Sequence, residues 1–218
     1  MKQNHRYWSK PNKVFGIGLG RTGTKSLTYA LNHLGIHVTH YPEDADTYRE
    51  LSQGNYQFSL LKTLDGITDV TVSLFYPHLD RQYPGSKFIL TVRNKDCWLE
   101  SLEKHWKAYP CFDESMPDTP ENRIRLSVRQ LLCATIFGCY FFSRDRASYV
   151  YDLHYKNVTD YFKNRPDDLL IIDICAGQGW EELCPFLGYP IQVRDFPRIR
   201  EKEELNSLIY APSYSILK

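Results

Sequence analysis

The sequence has little of what would place a protein at a membrane, on nucleic acid or in an oxidising compartment. Its longest apolar run, residues 131–142, is too short to span a bilayer and is bracketed by Arg129 and Arg144. Residues 1–12 are polar, carry Lys2, Arg6 and Lys10 and contain no apolar stretch, so no secretory signal is expected. Charge of neither sign dominates. With a net charge of +1 and acids interspersed among bases, bulk electrostatics give no reason to expect nucleic acid or a membrane surface as partner, and any anion selectivity has to be local. The six cysteines (Cys97, Cys111, Cys133, Cys139, Cys175 and Cys184) form no Cys-x-x-Cys pair, and several fall within apolar patterns that fit buried thiols. A reducing cytoplasm and no metal site are therefore expected. Internal repeats and low-complexity stretches are absent as well, and no residue pattern records an oligomeric state.

What is present fits one α/β domain over residues 1–218, since an apolar fraction of 42% supports a single sizeable core. The chain is organised around residues 13–34. Val14, Phe15 and Ile17 read as a short strand. The run Gly18-Leu19-Gly20-Arg21-Thr22-Gly23-Thr24-Lys25-Ser26 follows, and Leu27, Ala30, Leu31 and Leu34 then recur at helical spacing. Glycines let backbone N–H groups approach an anion without a Cβ in the way, and the unpaired donors at a helix start favour negative charge there. A phosphate or sulfate fits between Gly18 and Ser26. The register is not that of a Walker A loop: counting from Gly18, Gly23 is in place, but Thr24 stands where lysine belongs and Lys25 arrives one residue late.

Beyond Gly35, residues 36–39 read as a second strand and residues 43–64 as two short helices. His40, at the end of that strand, is expected to be a surface or hinge residue. Asp65 and Asp69 flank a short loop-and-strand segment, and residues 87–92 are the clearest internal strand, closed by Arg93 and Asn94. Asn94 or Asp96 can cap the helix that carries Trp98, Leu99, Leu102 and Trp106, with Ser101 on its second turn. Arg93 thus sits at the carboxyl end of a strand, where open α/β sheets bind ligands. Residues 109–120 form a long loop, a candidate flap over an acceptor pocket. One long helical pattern occupies residues 121–149 and continues to residue 162, its aromatic residues expected to be core and His154 a hydrogen-bonded core residue. Residues 169–174 read as a buried strand closed by Asp173. A helix then runs from Trp180 until Gly188 stops it.

The order Arg21-Thr22-Gly23-Thr24 resembles the phosphosulfate-binding loop of sulfotransferases. Arg93 with Ser101 eight positions later resembles that family's 3'-phosphate contact, although Lys95 stands where a proline often follows the Arg-Asn pair. The late strand and helix, through Gly-Trp-Glu-Glu-Leu-Cys-Pro-Phe-Leu-Gly, is similar to a branch found in many uncharacterised bacterial and eukaryotic members. The resemblance is strongest over residues 14–31 and 88–101. It implies an α/β, three-layer, P-loop NTPase-like fold with a central, mainly parallel sheet flanked by helices. It also implies 3'-phosphoadenosine 5'-phosphosulfate (PAPS) as donor, gripped by Gly20, Arg21, Thr22, Gly23, Thr24, Lys25 and Ser26 at the 5'-phosphate and by Arg93 and Ser101 at the 3'-phosphate. A late basic segment, Arg198 or Arg200, is implied to assist. The acceptor can be a small molecule, a glycan or a lipid bearing a hydroxyl or amine.

Sulfuryl transfer needs in-line geometry, charge stabilisation and a base for the attacking group, and it needs no metal. Arg21 stays protonated, so it can stabilise leaving-group charge. For the base, Asp69 ranks first and Asp65 second, with the histidines after them; a carboxylate in that role needs burial to raise its pKa. Two other readings stay open: a P-loop kinase or NTPase that uses Asp173 at a magnesium site, and a catalytically silent nucleotide-binding member.

Overall fold

A computed structural model describes residues 12–199. In chain order these form β1 (Val14–Gly16), α1 (Thr24–His33), β2 (Val38–His40), α2 (Ala45–Ser52), β3 (Gly66–Thr68), α3 (Val70–Ser73), α4 (Tyr76–Gln82), β4 (Lys87–Thr91), α5 (Lys95–Ala108), α6 (Pro120–Phe137), α7 (Arg144–Phe162), β5 (Leu169–Ile172) and α8 (Trp180–Leu187), with short 3₁₀ turns between some of them. The strands make one sheet in the order β2-β3-β1-β4-β5, and every pairing is parallel, with Phe15 opposite Phe88 and Phe88 opposite Leu169.

Period-two alternation divides the strand residues between two helical layers. Phe15, Ile17, Ile67, Phe88 and Leu90 pack into one core with Trp98, Leu102, Val128, Val150 and Phe162 of α5, α6 and α7. Val14, Val38, Ile89 and Ile172 point the other way, against Leu27, Ala30 and Leu31 of α1 and Leu183 and Leu187 of α8. The result is the three-layer α/β arrangement. His154, buried beneath the sheet, places Nε2 2.8 Å from the Ile17 carbonyl. Burial lowers its pKa, so this histidine is the neutral core residue that its place on α7 predicts.

Three expectations need correction. The helical pattern over residues 121–162 is two helices: Gly138, at φ 65°, ends α6, and the Ser143 side chain caps α7. The apolar periodicity ran on through Phe141 and Phe142 and hid this stop. The second strand begins two residues late, at Val38, while Ile36 is buried as packing beneath α1. Finally, β5 pairs only with β4, so it is an edge strand with Ile171 exposed rather than a fully buried one.

From β1 the chain moves to one side of the sheet for β2 and β3, then crosses to the other for β4 and β5. At such a reversal the connections at the strands' carboxyl ends part and leave a crevice. No helix among the described residues is long and apolar enough to cross a membrane.

Candidate active site

The crevice is a cavity of about 840 Å³ at the carboxyl ends of β1, β2, β3 and β4. Its floor is the loop between β1 and α1. A Cβ added at Gly18 would lie 1.9 Å from Thr91 Oγ1, so only glycine lets the loop lie this close to β4. Thr22 is buried, sharing its hydroxyl between the Leu19 carbonyl and Thr91 Oγ1, each 2.6 Å away. Trp98 Nε1 donates to the Gly20 carbonyl from behind, at 2.9 Å. Gly23, at φ 97°, turns the chain into α1, whose first turn has no side-chain cap and no acidic residue. A helix start of this kind, with no acidic side chain competing, favours an anion.

Arg93 and Ser101 meet this loop from β4 and α5. Arg93 Nη1 donates to the Arg21 carbonyl at 3.2 Å, and Arg21 Nε donates to Ser101 Oγ at 3.2 Å. The Asn94 side chain accepts from Cys97 N and starts α5, which fixes Ser101 on the wall. Tyr151 holds the Arg93 backbone through both its N–H and its carbonyl. Arg198 reaches in from the chain's late segment, donating to the carbonyls of Ile174 and Gly177. Arg21, Lys25, Arg93 and Arg198 all line the same cavity.

Opposite them, the pairing of β2 with β3 sets His40 against Thr68, and so next to Asp69. His40 Nε2 lies 2.7 Å from Asp69 Oδ2 and 3.1 Å from Thr24 Oγ1, while the Thr24 hydroxyl donates to Asp69 Oδ2 at 2.8 Å. Asp69 Oδ1 accepts from Val70 N at 2.6 Å. Burial raises the Asp69 pKa, but the His40 charge and hydrogen bond, Thr24 and Val70 N–H outweigh it, and the carboxyl is held below its ordinary range. An ionised Asp69 that already accepts from Thr24 requires Nε2 of His40 to be a donor, so in the neutral ring Nδ1 is the acceptor.

The backbone is strained at this site. Asp69 sits at φ 80°, ψ −171°, a region that normally holds only glycine and costs about 1–3 kcal/mol. Arg21 at φ 74° and Tyr41 at φ 45° also have positive φ, and all three line the cavity. The far wall is apolar: Leu102 and Trp106 of α5 face Leu132, Ile136 and Phe137 of α6, with Tyr41, Glu43 and Arg129 as polar neighbours. Burial raises the Glu43 carboxyl above its usual range against the pull of Arg129 and Arg125.

A model of the sulfotransferase domain matches residues 13–205. The chain belongs to the sulfotransferase family. The Ava biosynthesis cluster protein M of Aspergillus versicolor is 26% identical over 213 residues, covering 86% of this chain and 80% of that protein.

Of the residues that the sulfotransferase resemblance singles out, Gly20, Arg21, Gly23, Thr24, Lys25, Ser26, Asp69, Arg93, Ser101 and Arg198 line the one cavity. Thr22 does not: its hydroxyl is spent inside the loop, so the side chain is scaffold. Asp65 is removed from the site. It precedes β3, at the opposite end of the sheet, where its carboxylate accepts from His37 N at 2.9 Å. The raised pKa that a carboxylate base needs is not what burial gives Asp69, because the His40 charge and the hydrogen bonds to the charged form outweigh it. Arg200 lies outside the described residues. His40, expected to be a surface or hinge residue and ranked as base after the two aspartates, lines the cavity. The signal that could have found it is positional, a histidine and an aspartate closing two strands that pair in parallel. The aromatic end of α6 serves both roles, since Ile136 and Phe137 belong to the core and also wall the cavity.

Proposed function

We propose that this sulfotransferase-family chain moves a sulfuryl group from PAPS to a hydroxyl or amine on a small-molecule, glycan or lipid acceptor. The observation that carries this reading is the hydrogen-bonded link Arg93–Arg21–Ser101, which joins the phosphate-sized loop to the end of β4 inside one cavity. A ligand with two separated phosphates suits such a pair of anion sites. The uncapped start of α1 fits one phosphate, and Arg93 with Ser101 fits the other.

The donor supplies an electrophilic sulfonate and a leaving group that is already a stable phosphate. Arg21 neutralises charge that builds on the bridging oxygen, and it does so as a fixed cation. Lys25 adds positive charge from the same wall. His40 accepts the acceptor's proton at Nδ1, while Asp69 and Thr24 fix the ring and stabilise the imidazolium that forms. This places Asp69 as a positioning residue rather than the base. The apolar wall of α5 and α6 excludes water, which protects the sulfonate from hydrolysis. A cytoplasmic place of action accords with the six free cysteines.

The kinase reading loses its magnesium ligand. Asp173 Oδ1 accepts from Ala176 N at 2.8 Å, capping a 3₁₀ turn, and the residue does not line the cavity. Thermal denaturation separates the two readings, because a ligand that binds the native state raises its melting temperature. Adenosine 3',5'-bisphosphate should stabilise the protein and ATP with magnesium should not; the reverse outcome would overturn the proposal.

A further inference from the structure

The cavity wall carries a feature that sulfuryl transfer does not use. Cys111 Sγ and Cys133 Sγ lie 2.8 Å apart. Cys133 stands on α6 and lines the cavity, while Cys111 is buried at the start of the segment between α5 and α6. That segment is already held against the same turns of α6. Arg129 Nη1 donates to the Pro110 carbonyl and Gln130 Nε2 to the Cys111 carbonyl, each at 3.0 Å, and the Arg129 guanidinium lies 5.9 Å from the centre of the Tyr109 ring. The two sulfurs are therefore aligned by the backbone around them.

We propose that Cys111 and Cys133 form an oxidation site on the acceptor side of the cavity, where a hydroperoxide converts the two thiols to a disulfide that clamps residues 109–111 onto α6. The two thiols divide the chemistry. Cys133 is the thiol that a peroxide in the cavity meets, and the buried Cys111 sulfur stands against it. The Cys133 sulfur, as thiolate, attacks a peroxide oxygen and the O–O bond breaks, leaving a sulfenic acid on Cys133 and hydroxide. The Cys111 sulfur then attacks the sulfenic sulfur, the S–O bond breaks, and water leaves with the Cys111 proton. The thiols lose two electrons and the peroxide gains them. Access is through the cavity, on which Cys133 already opens.

The clamp holds Tyr109, a lining residue, in place and removes a thiol from the wall beside Leu132 and Ile136. Only this consequence for the acceptor rests on the transfer reading; the cross-link stands on the thiol geometry.

The test is peroxide treatment of the whole protein, followed by peptide mapping under non-reducing conditions. The expected result is a Cys111–Cys133 link, loss of two of the six titratable thiols, and recovery with dithiothreitol. Cys139→Ser should form the link as the wild type does. Cys111→Ser should not, and its melting temperature in the reduced state checks that it is folded. A link from Cys133 to Cys139, or sulfinic acid on Cys133 with no link, would overturn the proposal. Amide exchange over residues 109–119 should slow on oxidation and return on reduction; unchanged exchange would refute the clamp. These readouts need no nucleotide, so failure to bind adenosine 3',5'-bisphosphate would count against the transfer reading alone.

Discussion

Replacing Asp69 by asparagine tests the pair at the centre of the proposed chemistry. Asparagine is nearly isosteric with aspartate and carries the same Cβ, so the strain in the turn after β3 is unchanged. What changes is charge. Two bonds, from His40 Nε2 at 2.7 Å and Thr24 Oγ1 at 2.8 Å, end on a carboxylate that is 7% exposed. Hydrogen bonds to charged groups contribute about 1.5–3 kcal/mol and neutral ones about 0.5–1.5, so converting two of them costs about 2–3 kcal/mol. In a chain of this size that lowers Tm by about 4–12 °C.

The pH dependence then tells which way the Asp69 pKa has moved. A folded-state pKa below the unfolded value of about 3.9 contributes stability that is complete above that value and is lost as pH falls through the folded pKa. Urea denaturation of the wild type and Asp69→Asn should therefore give a stability gap that does not close from pH 7 to 5 and narrows only below about pH 4. A gap that already closes between pH 7 and 5 would mean a raised pKa. It would return Asp69 to the role of base and refute the ordering of His40 and Asp69 given above.

Three further outcomes follow from the same geometry. His40→Gln should lower kcat by about 10²–10⁴-fold, the usual contribution of a general base, with unchanged affinity for adenosine 3',5'-bisphosphate by equilibrium dialysis; full activity would remove His40 from the reaction. Arg93→Ala should weaken the bisphosphate about 10–100-fold while leaving adenosine 5'-phosphate nearly unaffected, and equal losses for both would show that Arg93 does not face the 3'-phosphate. Gly18→Ala should cost at least about 1–3 kcal/mol in denaturant unfolding, because its Cβ would collide with Thr91; an unchanged midpoint would mean that the loop and β4 can separate freely.

Much of this site was legible because its parts lie close together in sequence. The turn from Gly18 to Ser26 and the step from Arg93 to Ser101 are each one strand end with one helix start, so glycine placement and capping chemistry give their form locally. The break at Gly138 was missed because apolar residues continued on both sides of it, and a single left-handed residue outweighed the periodicity. His40 was undervalued for a different reason. Its partner lies 29 positions away, and only the β2–β3 register brings the two together. Asp65 and Asp69 look alike as residues four apart, yet a three-residue strand puts them at opposite ends of the sheet. The sign of the Asp69 shift was beyond the sequence for the same reason, since burial is opposed by the His40 charge and by hydrogen bonds that only the fold brings to the carboxylate.

A crystal of the protein soaked with adenosine 3',5'-bisphosphate measures the central claim most directly. The account predicts one nucleotide in the cavity, with its 5'-phosphate at the first turn of α1 and its 3'-phosphate within hydrogen-bond reach of Arg93 and Ser101. A nucleotide bound elsewhere, or one whose 3'-phosphate points away from Arg93, would contradict it.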